Sequence, residues 1–380
     1  MWPFRRREPE PDPDTHDRAL WQIGDAWPGP STHAGVTVNA DTALRLAAVW
    51  ACVRLLADTV STMPVHVFRE GTRQGVTRPR FLVKPAADTP FHEWVGQVMW
   101  SVLLRGAAYG TIADRAGPGL RPVQIELVHP DRVAVTLKPD GITVERRLDG
   151  RLVDRDDLWT FAGYRFPGKA APLSPIAYAR ETIGVGLASQ RYGAGFFDAG
   201  GPTGVLSSEQ SLTRDQAEVT KLLWQSRFEH GNDRGVAVLG YGAKFQPISV
   251  NPDEAQFLET QQLTWQQVAG IYGVPPESIA ASVQGSSITY SNVEQRPLDL
   301  LKFGVGPWLV RLETALTELL PADQTVRFDP AGLLRADLKT RYEAYRVALE
   351  AGFLTVDEVR ELEDRPPLPA GARPGLEAVA

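Results

Sequence analysis

The stretch Gly163-Tyr164-Arg165-Phe166-Pro167-Gly168-Lys169-Ala170 has the Gly-x4-Gly-Lys spacing of a loop that cradles phosphate, and the strand-like Leu158-Trp159-Thr160-Phe161 precedes it. Such a loop aims backbone N–H groups and a lysine ammonium at phosphate oxygens, and a Ser or Thr hydroxyl at Mg²⁺. Here Ala170 stands where the hydroxyl belongs, and Pro167 removes one N–H. Pro172 and Pro175 also delay the helix that should begin at the lysine. These departures favour a plain loop over a nucleotide site. Gly184-Val185-Gly186-Leu187-Ala188-Ser189 lacks the third glycine of a dinucleotide fingerprint and lies within a helical pattern, so its glycines point to close helix packing. The pairs Asp156-Asp157 and Asp253-Glu254 sit at loops or helix starts, where capping and the helix dipole account for them. The histidines at 16, 33, 66, 92, 129 and 230 include no pair at helical metal-ligand spacing. Cys52 is the only cysteine, which excludes an intramolecular disulfide and a Cys-rich zinc site. It lies in the apolar run Ala47–Cys52 and reads as a buried thiol. No Gly-x-Ser-x-Gly elbow is present. These residues assemble no active site, and neither a cofactor nor a metal is expected.

The elements that would position any site read as follows. Residues 5–40 are rich in Pro, Asp, Glu and Gly and read as a loose arm. Helical spacing predicts a helix over 41–62 with Asp41 as N-cap and Met63-Pro64 as its stop, then a strand at Val65–Phe68. A second helix over 90–106 carries Trp94, Val95, Val98 and Leu103 on one face. From 107 to 163 the period changes to two, with Asp140-Gly141 and Asp149-Gly150 as turns, which predicts hairpins. Helix returns over Ser174–Phe197. A small α/β insert follows, with Gly204–Leu206, a helix over 214–229 boxed by Thr213 and Gln216, Gly235–Leu239, and the strand-like Lys244–Ile248. A long helix over 252–273 is capped by Asn251, with Pro252 at its first position and Glu254 completing the box. Leu258, Trp265, Val268 and Tyr272 form its apolar stripe, and Gln256, Gln261, Gln262, Gln266 and Gln267 cover much of the rest.

Gly273, Pro275 and Pro276 end that helix and act as a hinge into the polar segment 281–291, which contains Gln284, Ser286, Ser287 and Thr289 and no charged residue. Replacing both prolines with Ala would let the helix run on. The next helix, 292–320, should kink near Gly304, Gly306 and Pro307, and two further helices are predicted at 333–351 and 355–363. Trp94, Trp224, Trp265 and Trp308 each fall on an apolar helix face, which favours packing over base stacking.

Bulk properties bound the function classes. At 380 residues with 43% hydrophobic and 23% charged side chains, the chain reads as a folded protein of two or three modules. A formal charge of −6 gives no bulk attraction for nucleic acid. No run approaches the ~18 apolar residues of a membrane span, and the arginines at 5–7 precede no apolar signal core. The cytoplasm is therefore the expected place of assembly.

Several segments, taken in order, resemble the portal proteins of tailed bacteriophages. They are Leu46–Ala57 with Met63–Val67, Leu173–Ile176 with Ala179–Ile183, Lys244–Ile248 with Asp253–Glu259, Ile271–Pro276 with Tyr290–Gln295, and Asp337–Tyr342. The resemblance spans about 40–366. It implies an α+β portal fold: an N-terminal arm at 1–40, a wing at 41–173, stem helices at 174–199 and 251–273, and a clip at 200–250. A tunnel loop would occupy 274–291, a wing return helix 292–332, and a short helical crown and tail 333–380. It also implies a ring of about twelve copies at one capsid vertex, through which double-stranded DNA passes without sequence specificity. Implied partners are the terminase packaging motor, the major capsid and scaffolding proteins, and a head-completion or tail adaptor. On this mapping Gln284, Ser286, Ser287 and Thr289 would face the DNA, although a mobile surface loop is the alternative for 281–291. A nucleotide hydrolase using Lys169, or a structural ring or adaptor without a DNA channel, are the alternatives for the whole chain.

Overall fold

The computed structural model describes residues 32–71, 74–117, 119–199, 254–279, 297–330, 338–363 and 365–369, with short pieces at 205–208, 213–215, 218–219, 222 and 243–246. The first helical region is split, in place of one helix over 41–62. Helix α1 (Ala40–Ala43) is capped by Asn39 instead of Asp41. The Asn39 side chain accepts from the Thr42 N–H at 2.8 Å, and the Thr42 hydroxyl accepts from the Asn39 N–H at 2.8 Å. That reciprocal box fixes the start two residues early. The chain then opens at Leu46, which is extended and buried, before α2 (Ala47–Ser61) begins. Helix α2 buries Ala48, Val49, Cys52, Val53, Leu56, Ala57 and Val60, and it is the spine of the main core.

Strand β1 (Val65–Arg69) lies between β2 (Gly75–Val76) and the distant β11 (Gln324–Phe328), antiparallel to both. Helix α3 (Phe91–Arg105) packs along α2 and buries Trp94, Val95, Val98 and Leu103 as their spacing predicts. Its C-cap, Gly106, has φ of 84°. A Cβ there would also meet the Leu173 carbonyl oxygen at 2.5 Å, so the position excludes side chains on both counts.

The hairpin module forms two antiparallel sheets. One has order β4-β3-β8, from β3 (Ala107–Ala116), β4 (Arg121–Val128) and β8 (Leu158–Ala162). The other has order β5-β6-β7, from β5 (Val133–Leu137), β6 (Val144–Leu148) and β7 (Arg151–Val153). The turns fall at Asp140-Gly141 and Asp149-Gly150. Asp149 and Gly150 both take positive φ, as a two-residue hairpin turn requires. Two indoles tie the sheet to helices: Trp94 Nε1 donates to the Ile125 carbonyl at 3.1 Å, and Trp159 Nε1 donates to the Ala315 carbonyl at 3.3 Å.

Helix α4 (Pro175–Tyr178), capped by Ser174, leads into α5 (Arg180–Ala199). Strands β9 (Val205–Ser208) and β10 (Ala243–Gln246) pair antiparallel and close the base of the insert; Gly235–Leu239 and most of the 214–229 helix lie outside the described residues. Helix α6 (Glu254–Tyr272) then packs on α5 and α2. The predicted kink is a π-helical turn, Leu300–Val305, in which the Gly306 N–H reaches back to the Leu301 carbonyl. It feeds α7 (Gly306–Thr317). Helices α8 (Leu338–Glu350) and α9 (Val356–Leu362) are the last helices among the described residues. Glu363 holds them together, accepting from Arg341 at 3.0 Å and from the Tyr345 hydroxyl at 3.1 Å. The architecture is α+β, as the sequence implies.

Candidate functional site

The end of α6 is built from backbone before side chains. Gly273 takes φ of +66°. The Val274 N–H donates to the Ala269 carbonyl at 2.9 Å and the Gly273 N–H to the Gly270 carbonyl at 3.2 Å, the paired bonds of a left-handed helix cap. Pro275 and Pro276 therefore lie after a stop that Gly273 has already made, and Pro276–Ile279 forms a single 3₁₀ turn. Val274 and Ile279 are buried, which pins both ends of the turn. The end of α6 rests directly on the π turn. A Cβ at Gly304 would lie 3.2 Å from the Gly273 oxygen, and one at Gly273 would lie 3.5 Å from the Phe303 oxygen. Two glycines thus let two backbones touch. Helical spacing alone marks Gly304 only as a kink and does not reveal this support. The signal was present in Gly304-Val305-Gly306-Pro307, but the partner lies some thirty residues away in sequence.

From Thr260 to Gly273 the chain carries no charged residue. Gln262, Leu263, Gln267 and Ile271 are exposed, and Gln261, Trp265 and Gln266 are half-buried. The side chains of Gln256 and Leu258 lie outside the described residues. The inner face carries Thr264, Val268, Ala269 and Tyr272, all buried. Helix α5 approaches through the predicted glycines: a Cβ on Gly186 would meet Thr264 Cγ2 at 2.8 Å and Leu46 Cδ2 at 3.0 Å. A Cβ on Gly184 would meet Thr32 at 2.6 Å. Burial, with Cys52 nearby, pushes the Tyr272 hydroxyl above its ordinary range, and burial pushes the Cys52 thiol up to about 12. A thiol so protonated is not a nucleophile at neutral pH.

The 163–170 loop does not take the shape of a phosphate cradle. The Gly163 N–H donates to the Gly106 carbonyl at 2.9 Å and the Lys169 N–H to the Phe166 carbonyl at 3.1 Å, so two amides are committed to the protein itself. Tyr164 bridges back to Leu173, and the Lys169 ammonium lies 3.3 Å from the Tyr178 hydroxyl. The next helix, α4, starts only at Pro175, so its N-terminus does not follow the lysine.

Of the residues singled out in the sequence, Gly273, Pro275 and Pro276 lie together at the end of α6 and the start of the 3₁₀ turn. Gln284, Ser286, Ser287 and Thr289 lie outside the described residues, which stop at Ile279 and resume at Pro297. Both flanks are anchored, since Ile279 and Leu300 are buried. Trp94 and Trp308 are core residues, as expected, and the Trp224 side chain is outside the described residues.

A family model described as phage portal protein matches residues 47–364. The "Probable portal protein" of Streptomyces phage phiC31 is 32% identical over 94% of this chain and 82% of its own length. The portal protein of Enterobacteria phage HK97 is 24% identical over 88% of this chain and 82% of its own. The crystal structure of an HK97 family phage portal protein from Corynebacterium diphtheriae superposes with a TM-score of 0.58 at 20% identity, covering 81% of this chain and 98% of that one. A chain from the neck of a native gene transfer agent particle, computed with C12 symmetry, has a TM-score of 0.58 at 21% identity over 92% and 98% of the two chains.

Proposed function

Because the chain belongs to the phage portal protein family, we propose that it forms a closed ring at one vertex of a capsid and that double-stranded DNA enters and leaves through the ring. The observation that carries this reading is the family match over residues 47–364, which takes in both α5 and α6 and the insert between them. In a ring built by heterologous contacts each subunit offers two different faces, and a pair of long helices with an insert at one end supplies them. The C12 symmetry of the related neck supports twelve copies. Residues 41–173 and 292–332 are then the wing, α4 with α5 and residues 251–273 the stem, and 200–250 the clip. Residues 274–291 are the tunnel loop and 333–380 a short crown and tail.

The uncharged stretch from Thr260 to Gly273 supports a stem helix that packs on a neighbour or lines a channel without gripping its cargo. Twelve copies at −6 each carry −72, so the duplex slides past the ring under net repulsion. No reaction is asked of this chain. The terminase motor would supply the energy of packaging, and the ring would meet scaffolding and major capsid proteins in assembly and head-completion or tail adaptors afterwards. Electron microscopy of the purified protein tests the reading. The expected image is a ring with an axial hole of ~20–25 Å, wide enough for B-DNA with its ~12 Å and ~6 Å grooves. A monomer at every concentration, or a ring closed on its axis, would contradict it.

A further inference from the structure

Between the β5-β6-β7 sheet, strand β8 and helix α7 lies a cleft of 1220 Å³. Six arginines line it, Arg115, Arg121, Arg146, Arg155, Arg165 and Arg311, against two carboxylates, Asp156 and Glu318. In a chain whose net charge is −6 this is a local inversion of sign. Arg115 is neutralised by Asp157 at 3.2 Å. Among the described residues no carboxylate is paired with Arg121, Arg146, Arg155 or Arg165. Arg146 is half-buried on β6; burial, and then the positive charges of Arg165 and Arg155, make it harder to keep protonated than an ordinary arginine. Arg311 lies with its guanidinium 4.6 Å from the Tyr164 ring centre and 5.2 Å from that of Trp308. Its Nη1 is buried without a hydrogen-bond partner among the described residues. Guanidinium groups gathered in this way repel one another and leave donors unused, a cost that a bound anion would remove.

The shape selects among anions. The cleft is concave and its margin carries exposed apolar side chains, Leu120, Ile142 and Val310. A duplex presents its phosphates on a convex surface ~20 Å across, and an apolar margin gives it nothing to pair with. A peptide chain fits inside and can place carboxylates on the guanidinium forks, which accept them bidentately, while its apolar side chains cover Leu120, Ile142 and Val310.

We propose that this cleft is a docking site for an acidic, partly apolar peptide segment of a partner protein. The proposal does not depend on the ring or its channel. The test uses the full-length protein and a short fluorescein-labelled peptide rich in Glu with two Leu, read by fluorescence anisotropy. The peptide should bind, more weakly as salt rises. Arg155→Glu combined with Arg165→Glu, both at exposed loop positions, should weaken binding by at least about tenfold. Arg54→Glu, on the exposed face of α2, should not, and circular dichroism should show all three proteins equally folded. Absence of binding to the wild type, equal binding of the matching Gln peptide, or an unchanged affinity in the folded double variant would each overturn the proposal. Displacement of the peptide by a lower concentration of duplex DNA would overturn it in favour of a nucleic-acid site.

Discussion

Cys52, Tyr109 and Tyr272 shape how the protein responds to alkali. Burial raises the thiol from its ordinary 9.0 to about 12 and the Tyr109 hydroxyl from 10.0 to about 12. The unfolded chain loses these protons first, so both groups contribute stability that is complete below pH 9 and is lost as pH rises through the folded values. Above pH 9 the thiol alone should remove about 1.4 kcal/mol per pH unit, and above pH 10 the Tyr109 and Tyr272 phenols, both raised by burial, should each add a similar slope. Urea midpoints measured from pH 8 to 11 should fall accordingly, and Cys52→Ala should delay the fall until near pH 10. A flat profile in the wild type would show that burial does not govern these groups. Glu313 is a further buried group, accepting from the Phe328 N–H at 2.8 Å and from Arg327 at 2.9 Å. Glu313→Ala leaves that buried N–H without an acceptor and should cost about 1–3 kcal/mol, while Glu313→Gln keeps an acceptor and should cost less in the same urea series. The burial of Cys52 is legible in sequence because its neighbours are apolar in an unbroken run. The role of Glu313 is not, because its partners sit on β11, which only tertiary packing brings to α7. The arginine cleft is hidden for the same reason, being assembled from positions between 115 and 311 that form no run.

Among the elements, those with a strong local period were legible: α3, the hairpin strands, the described part of α6 and α9 lie where spacing puts them, while Asn251 and Pro252, the expected start of α6, lie outside the described residues. The misses are local contests. Asn39 with Thr42 outcompetes Asp41 as a cap, and Leu46 leaves the helix to sit beside Gly186 in the α5–α6 crossing. Gly186 tests that crossing. A Val there would drive methyl groups into Thr264 and Leu46, and overpacking of this kind costs about 1–3 kcal/mol. Gly186→Val should lower the urea midpoint and loosen the α5–α6 pair, read as faster amide exchange at Thr264 and Val268. Exchange as slow as in wild type would mean that the crossing takes up the added methyl groups without loosening. The hinge makes a sharper distinction. Since Gly273 already closes α6 in the left-handed region, Pro275→Ala with Pro276→Ala should leave the helix ending where it does. Adding Gly273→Ala, which costs about 1–2 kcal/mol at that φ, should instead favour extension through Val274. Helix content measured by circular dichroism should rise only in the triple variant. A rise in the proline pair alone would assign the stop to the prolines.

At the scale of the whole molecule, the polar segment 281–291 is framed by the anchored Ile279 and Leu300, and in the proposed ring it is the tunnel loop. It offers Ser, Gln, Gly and Thr and no charge, so it can form hydrogen bonds to phosphate and release them as the duplex advances. Charged contacts would add a grip that depends steeply on salt. Arg in place of both Ser286 and Ser287 adds two positive charges per subunit at one height of the ring, enough for a band of cations around the duplex. The rings should assemble as in wild type, because 286 and 287 belong in sequence to neither α5 nor α6. Packaging or ejection should slow, and the slowing should be relieved as salt is raised, since counterion competition weakens phosphate contacts first. If 281–291 instead lies on an outer surface, packaging is unchanged at every salt concentration, and a photo-crosslinker at position 286 does not reach packaged DNA. Slowing that persists in high salt would point to blocked space in the channel and not to phosphate contact, which would separate the position of the loop from its chemistry.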